Sequence, residues 1–482
     1  MKLIFDKSVP GRRTYAPPTV DFDASAAIPQ EMMRETPAAL PELSEVDVIR
    51  HFTELSRRNF GVDTGFYPLG SCTMKYNPKF CEDLSRLPGF AGLHPMLALV
   101  PGGADAAQGA LCVVWEMQRL LAEICGMAAF STQPLAGAHG ELTGVLLMAA
   151  YHRDRGNRKT TILVPDSAHG TNPASAACGG YTIRNVPSDD TGVMDVDALA
   201  EALADDVAGL MLTCPNTLGL FHPRVAEICR MVHAVDGLVY CDGANLNALL
   251  GRCRPGDIGF DVMHVNLHKT FATPHGGGGP GAGPVGVCGK LVDFLPTPFV
   301  ERSPDGRFSV STDRPKSIGP VAPFFGNFGV MVKAYAYILR LGREGLCRVS
   351  ENAVLSANYV KEKLRPYFDI PHGQLCKHEC VFSASRQVEN GVHALDIAKA
   401  LIDRGFHPPT VYFPLVVPEA MMIEPTETES VETLDAFVEA MVEIAGLAEG
   451  DADSLHEAPV TTPVGRLDET RAARDPDLAS LA

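Results

Sequence analysis

Hydrophobic residues in the first two thirds of the chain alternate between short continuous runs and longer segments of helical period. Residues 107–126 carry apolar side chains every three or four positions and end in a glycine, which predicts a long helix. Residues 44–58 have the same period inside a proline-rich, polar stretch that is otherwise typical of an extended arm. The runs short enough to be strands are 161–164, 210–212, 238–241 and 262–267. Such strands, separated by helices, predict a parallel sheet covered on both faces.

From about residue 331 onward the pattern changes. Helical segments follow one another with few long apolar runs, which indicates a smaller α+β domain. Thr426 and Glu429 have the spacing of a capping box, so a helix is predicted to begin there. The sequence therefore divides into an N-terminal arm (1–100), a large domain (101–330), a small domain (331–450) and an extended polar tail (451–482).

Composition restricts the classes of protein that need to be considered. The 482 residues are 46% apolar and 21% charged, which is typical of a folded globular chain. The net charge of −17 opposes binding to nucleic acid and to anionic membranes. No apolar stretch approaches the roughly 20 residues that cross a bilayer, and the N-terminus has no readable secretion signal. Thirteen cysteines without a C-x-x-C pair favour free thiols and a cytoplasmic location.

The sharpest chemical feature is Lys269, which follows the apolar run 262–267 and precedes a glycine-dense loop at 276–281. A lysine at the end of a buried strand lies in a partly desolvated place, where an amine can form a Schiff base with an aldehyde. The alternative is a lysine whose ammonium group reaches past the sheet edge into water. The phosphate-binding motif G-x-x-x-x-G-K-[ST] does not occur, which argues against a nucleoside triphosphate site.

A second feature is Asp242, which follows the apolar run 238–241 and precedes Gly243. Alone, an aspartate before a glycine is most often a turn former. Together with Lys269 it gains a specific role, because a carboxylate opposite the ring nitrogen of pyridoxal phosphate keeps that nitrogen protonated. The pair is therefore stronger evidence than either residue.

Two further segments are expected near the same edge of the sheet. Ala136, Gly137 and Ala138 precede a helical stretch, and small residues at a helix start expose backbone N–H groups that can bind phosphate. His169 lies just after the run 161–164, which would bring a flat imidazole to the carboxyl ends of the strands. Without the other features, an ordinary loop and a capping histidine explain these segments equally well.

These segments, together with several longer ones, resemble one known family. CDGANLNALLGRCRPGDIGFDVMHVNLHKTF, PHGGGGPG, SAHGTNPASA, CPNTLGLF, YPLGSCTMKYNP and IEPTETES are similar to the glycine dehydrogenase (decarboxylating) family, the P-protein of the glycine cleavage system, and within it to subunit 2. The likeness extends from about Pro68 to near the C-terminus. It implies an α/β fold of pyridoxal-phosphate fold type I, the aspartate-aminotransferase type, with a mostly parallel seven-stranded large domain and a smaller α+β C-terminal domain.

The resemblance also implies roles for single residues. Lys269 would hold pyridoxal 5'-phosphate covalently, with Asp242 at the ring nitrogen, His169 stacked on the ring and Ala244 on its opposite face. The remaining cofactor-binding residues would be Ala136, Gly137 and Ala138 at the phosphate, assisted by His268 and Thr270. His139 stands where some members have glutamine, and its role stays open.

The family's activity implies substrates and partners. Glycine would be decarboxylated and its aminomethyl group transferred to the lipoyl arm of H-protein, with subunit 1 completing a heterotetramer of two subunits of each kind. Candidates for lining the lipoyl channel are Tyr67, Ser71, Cys72, Thr73 and Lys75, although an interface strap explains that segment equally well. No metal is expected, because Cys376, His378 and Cys380 alternate as on one face of a strand.

Two rival functions remain open at this stage. Another pyridoxal-phosphate enzyme of small amino acids, an aldolase or an aminotransferase, would use the same Lys269 and Asp242 and add an arginine for the substrate carboxylate. Arg155, Arg158 and Arg314 are candidates without distinguishing context. The second rival is a non-catalytic, structural subunit.

Overall fold

The structure is a computed structural model that describes residues 2–12, 14–16, 18–19, 21, 28–36, 38–276 and 281–476. It forms two compact units, one of Met1–Thr64 with Leu467–Ala482 and one of Gly65–Arg466. All of the candidate site residues lie in the second unit. The domain limits drawn from the sequence, at residues 100, 330 and 450, remain predictions.

The helices and strands are numbered here in chain order. The helices are α1 Glu45–Ser56, α2 Lys79–Ser85, α3 Pro88–Ala91, α4 Gly103–Ala106, α5 Gln108–Cys125, α6 Gly137–Asp154, α7 Thr171–Cys178, α8 Val196–Ala202, α9 Val225–Ala234, α10 Pro255–Ile258, α11 Leu267–Thr270, α12 Phe328–Leu364, α13 Ser385–Val388, α14 Ala394–Asp403, α15 Val431–Gly450, α16 Ala452–Glu457 and α17 Glu469–Arg474. The strands are β1 Ala129–Ser131, β2 Thr161–Pro165, β3 Thr182–Val186, β4 Val207–Thr213, β5 Leu238–Gly243, β6 Val262–Val265, β7 Val285–Val287, β8 Phe299–Arg302, β9 Phe308–Ser311, β10 Cys380–Ser383, β11 Thr410–Val411 and β12 Ala420–Ile423.

A seven-stranded sheet forms the centre of the second unit, in the order β1-β7-β6-β5-β4-β2-β3. The pairs β2–β3, β2–β4, β4–β5 and β5–β6 are parallel, and β7 runs antiparallel to both of its neighbours. Every residue of β2, β4, β5 and β6 is buried, because helices cover both faces of the sheet. The mostly parallel sheet that the apolar runs predict is confirmed.

The helix predicted at 107–126 is α5, which ends where Gly126 adopts a left-handed conformation with φ of 72°. The strand predicted at 262–267 is shorter than expected, since β6 ends at Val265 and its last partner in β5 is Gly243. Asn266 then precedes the helical turn α11. The prediction that Lys269 ends a strand is therefore wrong: its side chain lies in a helical turn just beyond the sheet edge.

The C-terminal part has its own small core. β10, β12 and β11 form an antiparallel sheet, against which α12, α14 and α15 pack. The first part of α12 packs in the large core and its last turns in the small one, with a break in helical geometry at Gly342. The predicted small α+β domain is confirmed. Among the described residues, no helix combines the length and the apolar character needed to cross a membrane.

Two local predictions in this part are wrong. The helix expected to begin at Thr426 begins at Val431 instead, where the Ser430 side chain accepts a hydrogen bond from the Thr433 N–H group at 3.2 Å. Thr426 is buried, and its hydroxyl group pairs with that of Thr428, so it caps nothing. The segment from residue 451, expected to be extended, contains the helices α16 and α17.

Candidate active site

Asp242 lies at the carboxyl end of β5, with its side chain buried to 2% exposure. Its two oxygens accept hydrogen bonds from the Ala244 N–H group at 3.0 Å and from Asn172 Nδ2 at 2.9 Å. His264 Nε2, on the neighbouring strand, is 3.6 Å away. Burial would raise the pKa of Asp242, but His264, these hydrogen bonds and the charge of Lys269 outweigh burial and lower it. Asp242 is therefore a buried carboxylate anion.

A second carboxyl group lies beside Asp242. Glu141, one turn into α6, is 4% exposed, and Asn172 Nδ2 contacts Glu141 Oε2 at 3.1 Å as well as Asp242. Burial, followed by the negative charge of Asp242, raises the pKa of Glu141 to about 8. Two close carboxyl groups that share one amide do not both ionise at neutral pH. The proton resides on Glu141, and the charge on Asp242.

The amine of Lys269 lies near this carboxylate, in the turn α11. Within the described residues, its hydrogen bond goes to the carbonyl oxygen of Ser71, from Nζ at 2.8 Å. Ser71 and Cys72 belong to the loop 70–75, which precedes the sheet by more than fifty residues. The side chain thus approaches the site from α11 and is held there by a different segment of the chain.

Two buried glutamates hold the loop 70–75 in place. Ser71 and Thr73 both have positive φ, 64° and 49°, a conformation that costs free energy in residues other than glycine. Glu379 accepts the Ser71 N–H at 2.7 Å, and Glu424 accepts the N–H of Thr73 at 2.7 Å and its hydroxyl group at 2.5 Å. Burial is the main reason why the pKa values of Glu379 and Glu424 are raised. These contacts fix the position of the Ser71 carbonyl group, which accepts the hydrogen bond from Lys269.

The N-terminus of α6 opens toward the same edge of the sheet. Within the described residues no side chain caps this 18-residue helix, and Ala136 precedes it in extended conformation. A side chain at Gly140 would come within 2.6 Å of the Gly283 oxygen and 2.8 Å of His264 Cβ, so glycine permits the close packing. Uncapped N–H groups and the helix dipole make this end suitable for a phosphate group.

The other predicted residues surround these groups. His169 follows β2, with Nδ1 at 2.9 Å from Thr171 Oγ1. Its side chain is exposed, and the protein around it still desolvates the imidazole enough to lower its pKa. Ala244 lies two residues after Asp242 and donates its N–H group to that carboxylate. Burial and the neighbouring cations lower the pKa of His268 to about 3, and its Nδ1 accepts the Ala282 N–H at 3.3 Å. Thr270 is buried. Part of the predicted glycine loop, residues 277–280, lies outside the described residues.

The buried polar atoms of this region fit a phosphorylated pyridine aldehyde. Among the described residues, the oxygens Asn172 Oδ1, Thr213 Oγ1 and Thr270 Oγ1 are buried without a hydrogen-bond partner. Thr213 pairs with Asp242 in the sheet register, and Thr270 follows Lys269. Buried polar atoms without partners are uncommon in folded proteins and call for an explanation such as a bound ligand. An amine, a carboxylate and a helix N-terminus supply the contacts that such a ligand requires.

Lys75 does not line a channel, contrary to the prediction for its segment. Its side chain is 1% exposed, and Nζ contacts Glu427 Oε1 at 2.6 Å, Asn247 Oδ1 at 2.6 Å and the Thr270 oxygen at 3.0 Å. All three ammonium donors are therefore used inside the protein. Thr73 is equally buried, and its hydroxyl group donates its hydrogen bond to Glu424.

Replacing Lys75 by methionine is expected to lower the free energy of unfolding by about 3 kcal/mol, because Glu427 would keep a buried, unpaired charge. The urea midpoint measures this loss. The double variant Lys75→Met, Glu427→Leu removes both charges and should recover most of the stability. Equal losses in the single and the double variant would contradict the assignment of the effect to the ion pair.

Sequence reasoning missed Glu141, Asn172, His264, Glu379 and Glu424. Glu141 and Asn172 had a signal, since both stand inside the segments already singled out by Gly137 and His169. His264 faces Asp242 because the two are register partners on β5 and β6. Glu379 and Glu424 are more than 300 residues from the loop they hold, and no local pattern marks them.

Comparisons with known proteins agree over nearly the whole chain. The profile of the glycine cleavage system P-protein matches residues 19–308, and that of the glycine dehydrogenase C-terminal domain matches residues 349–460. A protein of Caldanaerobacter subterraneus subsp. tengcongensis, named probable glycine dehydrogenase (decarboxylating) subunit 2, is 56% identical over 98% of this chain and 97% of its own. A protein of Listeria welshimeri with the same name is 53% identical over 99% of this chain and 98% of its own.

Solved structures resemble the fold. An inhibitor-bound glycine decarboxylase (P-protein) of the glycine cleavage system has a TM-score of 0.72 and 22% identity, over 87% of this chain and 94% of that one. The glutamate decarboxylase of Lactobacillus brevis has a TM-score of 0.66 and 12% identity, over 89% and 97%. At these identities the likeness concerns the fold alone. It confirms the predicted fold type I of the pyridoxal-phosphate enzymes.

Proposed function

The chain belongs to the family of glycine dehydrogenase (decarboxylating) subunit 2 of the glycine cleavage system, and from this premise we propose that Lys269 binds pyridoxal 5'-phosphate covalently at the edge of the sheet. Enzymes of this family are oxidoreductases that decarboxylate glycine, and that is the activity of this chain. The observation that carries the proposal is the meeting of Lys269, Asp242 and the α6 N-terminus in one buried region.

Each of these groups has a defined task. When bound, pyridoxal phosphate accepts the electron pair that remains on the glycine α-carbon as carbon dioxide leaves. Asp242, held ionised, keeps a proton on the ring nitrogen. His169 and Ala244 would hold the ring between them, which would orient the bond that breaks. Lys269 would hold the cofactor through its amine, and the Ser71 carbonyl group would keep that amine in the site.

The phosphate group would be bound at the start of α6. The N–H groups of Gly137 and Ala138, with Ala136 before them, would bind its negative charge, because no side chain among the described residues caps this end of α6. His268 and Thr270 assist from α11. His268 is neutral at physiological pH because burial lowers its pKa to about 3, so it contributes a hydrogen bond and no charge.

The partners follow from the family. The name subunit 2 implies a subunit 1, and we propose a heterotetramer of two subunits of each kind. The aminomethyl group left by decarboxylation passes to the lipoyl arm of H-protein, which must reach Lys269. Ser71 and Cys72 of the loop 70–75 lie beside that amine. Together with the partly buried Tyr67, they are the residues of the predicted channel that remain candidates for meeting the arm. Free thiols throughout the described residues support a reducing, cytoplasmic location.

The function is tested by carbon dioxide exchange. The purified chain, combined with subunit 1 and pyridoxal phosphate, should exchange labelled bicarbonate into the carboxyl carbon of glycine when lipoylated H-protein is present. H-protein without its lipoyl group is the matched control and should support little exchange. Conversion of glycine to glyoxylate or to a β-hydroxy amino acid, with no effect of H-protein, would instead indicate an aminotransferase or an aldolase.

A further inference from the structure

A chain of hydrogen bonds joins His169 to Asp242 through Glu141. Thr171 Oγ1 lies 2.9 Å from His169 Nδ1 and 2.9 Å from Glu141 Oε1. Asn172 Nδ2 lies 3.1 Å from Glu141 Oε2 and 2.9 Å from Asp242 Oδ2. Glu141 is thus the central member of a five-residue network whose two ends are proposed to contact the face and the nitrogen of one ring.

The geometry at His169 determines which ring nitrogen carries the proton. The backbone N–H group of Thr171 donates to His169 Nδ1 at 3.3 Å, so Nδ1 is an acceptor and the proton is on Nε2. The Thr171 hydroxyl group has one proton to donate. If Glu141 is protonated, it donates to Thr171, and Thr171 donates to His169. If Glu141 is ionised, Thr171 donates to Glu141 and no longer to His169.

We propose that Glu141 is a positioning residue which, by carrying a proton, directs the Thr171 hydroxyl toward His169 and leaves Asp242 as the anion of the network. The orientation of the His169 imidazole and its Nε2–H tautomer follow from this arrangement. The proposal deepens the proposed function and rests on it, because His169 and Asp242 receive their roles there.

The surroundings of Glu141 favour the protonated form. Tyr240 and Asp242 on β5, His264 on β6 and Lys269 on α11 are the titratable groups that face this part of α6, and α7 adds only the uncharged Thr171 and Asn172 in the described structure. Burial and the charge of Asp242 raise the pKa of Glu141 to about 8, while the hydrogen bonds with Thr171 and Asn172 and the charge of Lys269 oppose them. Below that pH the group is neutral, and above it the network carries two anions.

The test uses the cofactor-free chain, with histidines labelled by ¹⁵N for magnetic resonance. We expect the His169 resonances to show the Nε2–H tautomer at neutral pH and to shift with a midpoint near pH 8, where Glu141 ionises. In Glu141→Gln this transition should be lost while the tautomer is kept, because the amide donates to Thr171 at every pH. Glu201→Gln, which replaces an exposed carboxylate on α8, is the control and should keep the transition.

A second variant keeps the test decisive if Glu141→Gln does not fold. Thr171→Val removes the link to His169 and leaves Glu141 with Asn172, so the infrared signal of a protonated carboxyl group should persist up to about pH 8 while His169 no longer follows it. A His169 transition that survives either variant overturns the proposal. Carbon dioxide exchange is measured separately: its absence in the unmodified chain would overturn the proposed function, whereas the role of Glu141 is decided by His169 alone.

Discussion

Replacement of Lys269 by alanine is expected to abolish covalent retention of pyridoxal phosphate and to lower glycine-dependent carbon dioxide exchange by about four orders of magnitude, as the loss of a covalent catalytic group does in other enzymes. Lys75 cannot substitute for this amine, because its ammonium group is enclosed by Glu427, Asn247 and the Thr270 oxygen. After borohydride reduction and denaturation, the mass of the unmodified chain should include the cofactor. The mass of the variant should not.

Two controls separate this result from general damage. Lys363→Ala removes an exposed lysine at the end of α12 and should keep both the covalent cofactor and the exchange. A small primary amine added to Lys269→Ala should restore part of the exchange, since it supplies the missing nitrogen. Covalent retention of the cofactor by Lys269→Ala would show that another residue holds it, which would contradict the proposed role of Lys269.

The sheet and the meeting of Lys269 with Asp242 could be predicted from the sequence for a physical reason. Fully buried parallel strands have no polar face, so β2, β4, β5 and β6 appear as continuous apolar runs. The residues after such runs converge, because parallel strands end at one edge of the sheet. That argument needs the order of segments and no knowledge of side-chain contacts. It did not predict the turn α11, since no sequence pattern at Asn266 marks the end of the strand β6.

The supporting carboxyl groups could not be predicted in the same way. Glu379 and Glu424 reach Ser71 and Thr73 across more than 300 residues, and each bond exists only after the small C-terminal core has formed. A glutamate beside apolar residues is ordinarily taken for a solvated side chain. Glu141 stands in the segment singled out by Gly137, but its contact with Asp242 could not be read from that segment. Long-range contacts of this kind leave no periodic signal.

The buried carboxyl groups near Lys269 differ in their charge, and the negative charge is concentrated on one of them. Burial raises the pKa of Glu141, Glu379 and Glu424, whereas the surroundings of Asp242 lower its pKa. Four buried carboxyl groups near one lysine would repel each other strongly if all were ionised. Asp242 is the one of the four whose pKa is lowered, by His264, by the hydrogen bonds from Asn172 and Ala244 and by Lys269, so the negative charge is concentrated where a pyridine nitrogen would gain its proton.

Replacement of Asp242 by asparagine should therefore lower the rate of glycine-dependent exchange by about a thousandfold, which corresponds to about 4 kcal/mol of transition-state stabilisation, while Lys269 still holds the cofactor. The amide has the same shape but no charge, so the ring nitrogen loses its proton and the electron pair from glycine has a poorer acceptor. It also presents an NH₂ group to either Asn172 or the Ala244 N–H, both of which donate to Asp242. A loss of stability is expected with the loss of rate.

The two effects are separated by a matched control at the opposite end of the same sheet region. Asp261, 4% exposed, accepts hydrogen bonds from His233 Nε2 at 2.7 Å and the Val239 N–H at 2.8 Å, and Lys290 pairs with it at 2.8 Å. Asp261→Asn should lower the urea midpoint and leave the exchange rate per folded molecule unchanged. If Asp242→Asn exchanged carbon dioxide within tenfold of the unmodified chain after correction for folded protein, the ring nitrogen would not depend on this carboxylate.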